Sequence, residues 1–242
     1  MRSLIIAPGD DEAKLAAALA SEADAVVVDL DVAAEGRAAA RGYAARALAE
    51  AARADGPALI VRVSPLDSGE TDGDLDAIAP MLPFAVMLPK ARGAAHVQQL
   101  SAKLALREAL NGLEDGATAI VALIDTAAGL TAAVSLSDAS ARLVALAWDA
   151  EALARGIGAE ASRDGEGALI APLRTARDMT LIAAAAAGVG AIDSAFLAPR
   201  DGDALAAEAA AARRIGFVAK LALDPAQAAT INQAFGAKKG AA

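Results

Sequence analysis

The 242-residue sequence predicts an α/β protein folded as a single (β/α)8 TIM barrel, and three observations carry that expectation. Short β-branched runs recur along the whole chain, most of them apolar without alternation, and Ala-rich segments with helical spacing lie between them. Continuous apolar runs are how strands buried on both faces of a parallel sheet read. Regular alternation of strand and helix defines the α/β class, and eight such units in 242 residues match the usual barrel of about 250. An open, doubly wound sheet is the rival arrangement. No G-x-G-x-x-G follows the first run, so a dinucleotide site gains no support.

Taken in order, SLIIA at 3–7 ends in Pro8, Gly9 and Asp10 and is followed by helical spacing over 12–21. AVVVDL at 25–30 delivers Asp29 and Asp31 and leads into an Ala-rich helix over 33–54. ALIVRV at 58–63 carries Arg62 and is followed by Ser64 and Asp67. FAVMLP at 84–89 ends in Pro89 and Lys90 before a helix over 94–110. TAIVALI at 118–124 delivers Asp125 and Thr126, and RLVALA at 142–147 delivers Trp148, Asp149 and Glu151, with a helix over 168–187 beyond. GAIDSAF at 190–196 carries Asp193 and precedes a helix over 204–215. AKLAL at 219–223 closes the series with Asp224, Pro225 and Gln227. One domain is expected over 1–236, and the small, basic residues 237–242 read as a disordered tail.

Composition narrows the chemistry. Apolar residues make up 56% of the chain but aromatics only 2%, so the core is built from Ala and branched aliphatics. A net charge of −9 argues against general nucleic acid binding, which needs a basic face to neutralise phosphates. The absence of Cys excludes disulfides, thiol catalysis and thiolate metal sites. A single His, His96, excludes histidine-rich metal sites, and it falls in a predicted helix. The charge-free run 179–192 is shorter than the roughly 18 residues of a membrane span, and the N-terminal apolar run is too short for a signal peptide. A cytoplasmic protein with no membrane partner is expected.

In such barrels the active site lies at the C-terminal ends of the strands. Nearly every strand here delivers a carboxylate to that end, with Arg62 and Lys90 among them. Oxygen ligands without imidazole or thiolate suit a hard cation, Mg²⁺ before Zn²⁺. Asp is also a common helix N-cap, which accounts for any single one of these acids equally simply.

The ordered motifs carry a family resemblance. P-G-D after the first run, D-L-D, V-R-V-S-P-L-D-S, L-P-K, A-L-I-D-T-A-x-G, L-A-W-D-A-E-A-L, A-I-D and K-L-A-L-D-P-A-Q together resemble the citrate lyase beta subunit. More broadly they resemble the HpcH/HpaI aldolase superfamily, which includes malyl-CoA and citramalyl-CoA lyases. The similarity runs from Arg2 to about Phe235.

The resemblance implies a TIM barrel that cleaves or forms a carbon–carbon bond next to a carbonyl, using Mg²⁺. It places Asp125 where the family has a metal-binding Glu, and Arg62 at the family Arg that steadies the substrate oxyanion. Asp29 and Asp31 join Arg62 as catalytic candidates, although the usual D-L-E-D reads Asp29-Leu30-Asp31-Val32 here. Pro8, Gly9, Lys90, Arg177 and Trp148 are candidates for substrate binding, Trp148 equally as core and Arg177 equally as a helix-face ion pair. With Leu153 setting the register, Ala152 stands where the family has its second metal ligand, leaving Asp149 or Glu151 to serve instead. The usual K-L-x-I-H-P has become Lys220-Leu221-Ala222-Leu223-Asp224-Pro225, and the chain ends soon after Phe235, where longer relatives continue into a lid.

Two functions are therefore expected. One is a Mg²⁺-dependent carbon–carbon lyase acting on a small hydroxy or oxo acid or its CoA thioester. The other is a degenerate barrel that keeps a carboxylate or CoA pocket and serves as a binding or regulatory protein. A homo-oligomer, a trimer by resemblance, is implied in either case.

Overall fold

The computed structural model describes residues 1–51, 56–198 and 201–236. All eight runs form strands: β1 Ser3–Pro8, β2 Ala25–Asp29, β3 Ala58–Arg62, β4 Ala85–Leu88, β5 Ala119–Ile124, β6 Leu143–Trp148, β7 Gly190–Asp193 and β8 Ala219–Ala222. They pair in parallel and in sequence order. β8 returns to β1, with Leu221 beside Leu4, so the sheet closes into a barrel and the open alternative is excluded.

Among the described residues the helices are α1 Glu12–Leu19, α2 Arg37–Ala51, α3 Thr71–Ile78, α4 Ala94–Leu110, α5 Ala127–Ala132, α6 Ala150–Gly156, α7 Ala171–Ala186, α8 Gly202–Ile215 and α9 Gln227–Phe235. α4 has the predicted bounds. α2 starts later than expected because 33–36 close a turn, with the Gly36 N–H on the Ala33 carbonyl at 3.0 Å. Its predicted end at 52–54 lies outside the described residues, as does the segment 237–242 read as a tail. α3, α5, α6 and α9, six to nine residues long, are not expected from the sequence. Two of them owe their start to a side-chain cap: Thr126 accepts the Gly129 N–H for α5, and Asp149 accepts the Glu151 and Ala152 N–H groups for α6.

The core has two layers because each strand is apolar on both faces. Leu4, Val27, Ile60, Met87, Leu123, Ala147, Ile192 and Leu221 fill the barrel interior. Ile5, Val28, Val61, Leu88, Ile124 and Trp148 face outward onto the helices. Those helices present Ala40, Ala44 and Ala47 on α2 and Ala209 and Ala212 on α8. Small buried faces let helices lie close to the sheet, which accounts for a core nearly free of aromatics. No described helix is long and apolar enough to cross a membrane.

Candidate active site

Alternation along the strands decides which side chains reach the mouth of the barrel. Ala25 and Val27 face inward on β2, so Asp29 does too; Ile60 brings Arg62 with it on β3. The same parity carries Val121 and Leu123 on to Asp125 after β5, and Ala145 and Ala147 on to Asp149 after β6. Four of the predicted site residues therefore share one face at the C-terminal end of the sheet.

Asp29 and Arg62 are neighbours in the β2–β3 register and form a two-pronged ion pair. Arg62 Nε donates to Asp29 Oδ1 at 2.7 Å, and Nη2 donates to Oδ2. Burial works against the guanidinium charge. The hydrogen bonds it donates to Asp29 and the charges of Asp29, Asp31 and Asp149 outweigh it and hold Arg62 above its ordinary pKa. Asp31 donates its own N–H to Asp29 Oδ1 at 3.0 Å. Burial and the nearby Asp29 charge raise the Asp31 carboxyl above the usual range, against the pull of Arg62 and Lys90.

Asp125 accepts the Lys90 backbone N–H on Oδ1 at 2.9 Å. Lys90 reaches it from a left-handed turn, φ 50°, directly after β4, so its backbone rather than its exposed side chain holds the carboxylate. Burial is the main cause that pushes Asp125 up to about 6; the Asp149 charge adds to it, while Lys90 and Arg62 oppose it. Asp149 serves as N-cap of α6, its Oδ1 accepting from Glu151 N at 2.9 Å and Ala152 N at 3.0 Å. The cap thus engages one carboxylate oxygen, Oδ1. Glu151 lies half-buried on the first turn of α6.

Pro8 stands beside Asp29 in the β1–β2 register, and Gly9 donates to the Asp29 carbonyl at 2.8 Å. A Cβ at Gly9 would lie 2.6 Å from that carbonyl oxygen, so only glycine lets the end of β1 cross so closely.

Trp148 and Arg177 are not brought to this mouth. Trp148 precedes Asp149 by one residue and so faces the opposite side of the strand, where it is fully buried and donates Nε1–H to Asp193 Oδ1 at 2.9 Å. Arg177 on α7 forms a two-pronged pair with the same Asp193, at 3.0 and 2.9 Å. Both side chains line a separate cavity of about 230 Å³ behind β6 and β7. Lys220, wholly buried on β8, completes this outer cluster through Asp193 Oδ2 at 3.0 Å and Glu208 at 2.8 Å. Burial raises the cost of an Asp193 charge, but Lys220, Arg177 and the indole N–H more than offset it and hold the carboxyl below its usual range. A lysine inside the apolar run A-K-L-A-L was the available sign of this cluster, since a buried ammonium requires a counter-ion.

Among the described residues no group of three or more His, Cys, Asp or Glu side chains is gathered for a metal ion. Of the carboxylates at the mouth, Asp29 is taken by Arg62, while Asp125 and Asp149 stand just past the neighbouring strands β5 and β6. A pair of that kind suits Mg²⁺, which binds through one or two carboxylates and completes its shell with water and substrate oxygens.

The family model described as HpcH/HpaI aldolase/citrate lyase matches residues 2–225. The citrate lyase subunit beta-like protein of Mycobacterium tuberculosis is 30% identical over 231 residues, 96% of this chain and 77% of that protein. A solved structure of the citrate lyase beta subunit from M. tuberculosis, complexed with oxaloacetate and magnesium, superposes with a TM-score of 0.80 at 30% identity and covers 97% of this chain and 96% of that one. Another, of the M. tuberculosis protein CitE with magnesium, acetoacetate and coenzyme A, gives a TM-score of 0.80 at 30% identity over 98% of this chain and 82% of that one.

Proposed function

The chain belongs to the HpcH/HpaI aldolase/citrate lyase family, and from that premise we propose that it is a Mg²⁺-dependent carbon–carbon lyase acting on a small hydroxy or oxo acid or its coenzyme A thioester. The observation that carries this reading is the shared inward face of Asp29, Arg62, Asp125 and Asp149 at the barrel mouth. Asp125, held by the Lys90 N–H, and Asp149, held by the Glu151 and Ala152 N–H groups, are the residues that would hold Mg²⁺. When bound, Mg²⁺ supplies Lewis-acid polarisation of the substrate carbonyl.

The protein groups have separate duties. Arg62 offers the guanidinium edge not taken by Asp29 to the substrate carboxylate or developing enolate oxygen, and Asp29 fixes the plane of that fork. Asp31, held above the ordinary carboxylate range beside this pair, is the group assigned to proton transfer. The bound magnesium, oxaloacetate, acetoacetate and coenzyme A of the M. tuberculosis structures support this ligand class. Titration calorimetry with Mg²⁺ and oxaloacetate tests it. Saturable binding in wild type, lost in Asp125→Asn and weakened at least about tenfold in Arg62→Lys, is expected, because an ammonium cannot reproduce the fork. No heat at millimolar ligand overturns it.

A second reading, a barrel that binds but does not catalyse, is favoured by one observation: Ala152 stands where the resemblance places a metal Asp, and its backbone N–H merely helps cap α6. If wild type binds oxaloacetate without Mg²⁺, and Ala152→Asp with Asp125→Glu gains metal affinity, this reading replaces the first.

A further inference from the structure

We propose that the buried cluster of Trp148, Asp193, Ser194 and Lys220 is a positioning clamp that fixes how Asp149 enters the barrel mouth. The inference rests on Asp149 being a site carboxylate. Asp149 is bracketed on both sides. The residue before it, Trp148, is tied through its indole to Asp193 at 2.9 Å; the residue after it, Ala150, donates its N–H to Ser194 Oγ at 3.0 Å. Asp149's own N–H continues the sheet to the Ile124 carbonyl at 3.1 Å.

The two anchors are neighbours on the chain just past β7, and Lys220 locks both. Its ammonium donates to Asp193 Oδ2 at 3.0 Å and to the Ser194 carbonyl at 2.7 Å. A third bond to Glu208, which pairs with Arg163 at 2.8 Å, ties the cluster to α8 and to the loop before α7. The ends of β6, β7 and β8 are thus joined by side chains where the backbone ladder is ending.

Stability alone does not call for this arrangement. Buried ion networks are often replaceable by apolar residues at no loss, and their best use is to fix one geometry among several. The side-chain anchors of both Asp149 flanks, Asp193 and Ser194, line the outer cavity with Trp148, while strand parity turns the Asp149 carboxylate inward, so the clamp acts on the site without touching its ligand. Support of this kind behind a metal ligand is commonly worth 10–100-fold in metal affinity.

The test uses Ser194→Ala, which removes only the acceptor for the Ala150 N–H, Ser194→Thr, which keeps it, and Trp148→Phe, which removes the indole N–H. Mn²⁺ binding is read by electron paramagnetic resonance alongside thermal melting and crystal structures. Expected is a loss of about 10–100-fold in Mn²⁺ affinity for Ser194→Ala and Trp148→Phe, with recovery in Ser194→Thr. A purely structural role would lower the melting temperature without a metal phenotype in the folded variants, so wild-type affinity in both loss variants overturns the clamp. If wild type takes up no Mn²⁺, the proposed function fails by itself. The clamp is then judged from the crystal structures: a displaced Asp149 carboxylate in the variants supports it, and an unmoved one overturns it.

Discussion

Asp125 and Asp149 close neighbouring strands, and the charge of Asp149 acts on the half-buried Asp125. Burial, reinforced by Asp149, raises the Asp125 pKa from 3.8 to about 6. A carboxyl raised in the folded state holds its proton more tightly there than in the unfolded chain. Stability therefore falls as pH climbs through that interval and stays reduced above it. The rise corresponds to at most ~3 kcal/mol at neutral pH. Asp125→Asn keeps the oxygen that accepts the Lys90 N–H and removes the charge. It is expected to be more stable than wild type at pH 7.5, by ~1–3 kcal/mol, and to match it near pH 3.5. Urea unfolding at the two pH values measures this, and an equal gap at both would rule out the electrostatic origin. A cation between Asp125 and Asp149 would relieve the same repulsion, so the proposed Mg²⁺ site also predicts stabilisation of wild type, and not of the Asn variant, by millimolar Mg²⁺ at pH 7.5.

The elements impose tighter limits than the residues they carry. The end of β1 crosses β2 at Gly9, where an added Cβ would lie 2.6 Å from the Asp29 carbonyl and 3.1 Å from Ala40 Cβ on α2. Neither obstacle is a flexible side-chain end. Gly9→Ala is expected to cost ~1–3 kcal/mol as overpacking and to weaken substrate binding as well, because the carbonyl it pushes belongs to the partner of Arg62. Chemical denaturation and calorimetry on the same variant separate the two effects; a destabilised protein with unaltered binding would show that Asp29 is insulated from the strand end. The strands themselves were legible because their apolar runs are short, mostly rich in β-branched residues and bounded by polar, Gly or Pro positions, which separates them from buried helix segments. That same double-sided burial hid the parity. In A-V-V-V-D or A-I-V-A-L-I no polar alternation marks the inward face, and a shift of one residue sends a side chain to the other side. Trp148 and Asp149 show the outcome. Both stand where a site residue was expected, yet one enters the mouth and the other the outer layer. The ends of the inward runs, Asp29, Arg62 and Asp125, were found from motif order. The grouping around Asp193 was not, because Trp148, Lys220 and Arg177 come together only through the tertiary fold.

Across the whole molecule two sets of carboxylates respond to pH in opposite directions. At the N-terminal end, Glu108 on α4 accepts two hydrogen bonds from Arg142 at 2.7 and 2.6 Å, and the Gly116 and Thr118 N–H groups at 3.0 and 2.9 Å. Glu108 and Arg142 are both buried. Burial alone would raise the Glu108 carboxyl, but Arg142 and the two N–H groups hold it below its ordinary 4.5. A depressed acid stabilises the fold above its unfolded pKa and loses that contribution as pH falls through its folded one. Asp193, also depressed, acts in the same sense. The mouth acts oppositely, through the raised Asp125 and Asp31. Stability is therefore expected to peak at acidic pH, between the 3.8 at which the Asp125 loss begins and the 4.5 at which the Glu108 gain is completed, and to decline on either side. Each limb has its own variant. Asp125→Asn should flatten the decline toward neutral pH. Glu108→Ala, which leaves the buried Arg142 guanidinium with only Asp115 and the Thr118 carbonyl, should remove ~1–3 kcal/mol near the maximum and weaken the acid-side dependence. Because function in barrels sits at the C-terminal face and stability at the N-terminal one, the folded Glu108→Ala protein should bind Mg²⁺ and oxaloacetate within about twofold of wild type. Urea unfolding from pH 3.5 to 8, paired with calorimetry at pH 7.5, reads all three outcomes. A single monotonic profile, or a binding defect in folded Glu108→Ala, would show that the two ends are coupled through the sheet rather than independent.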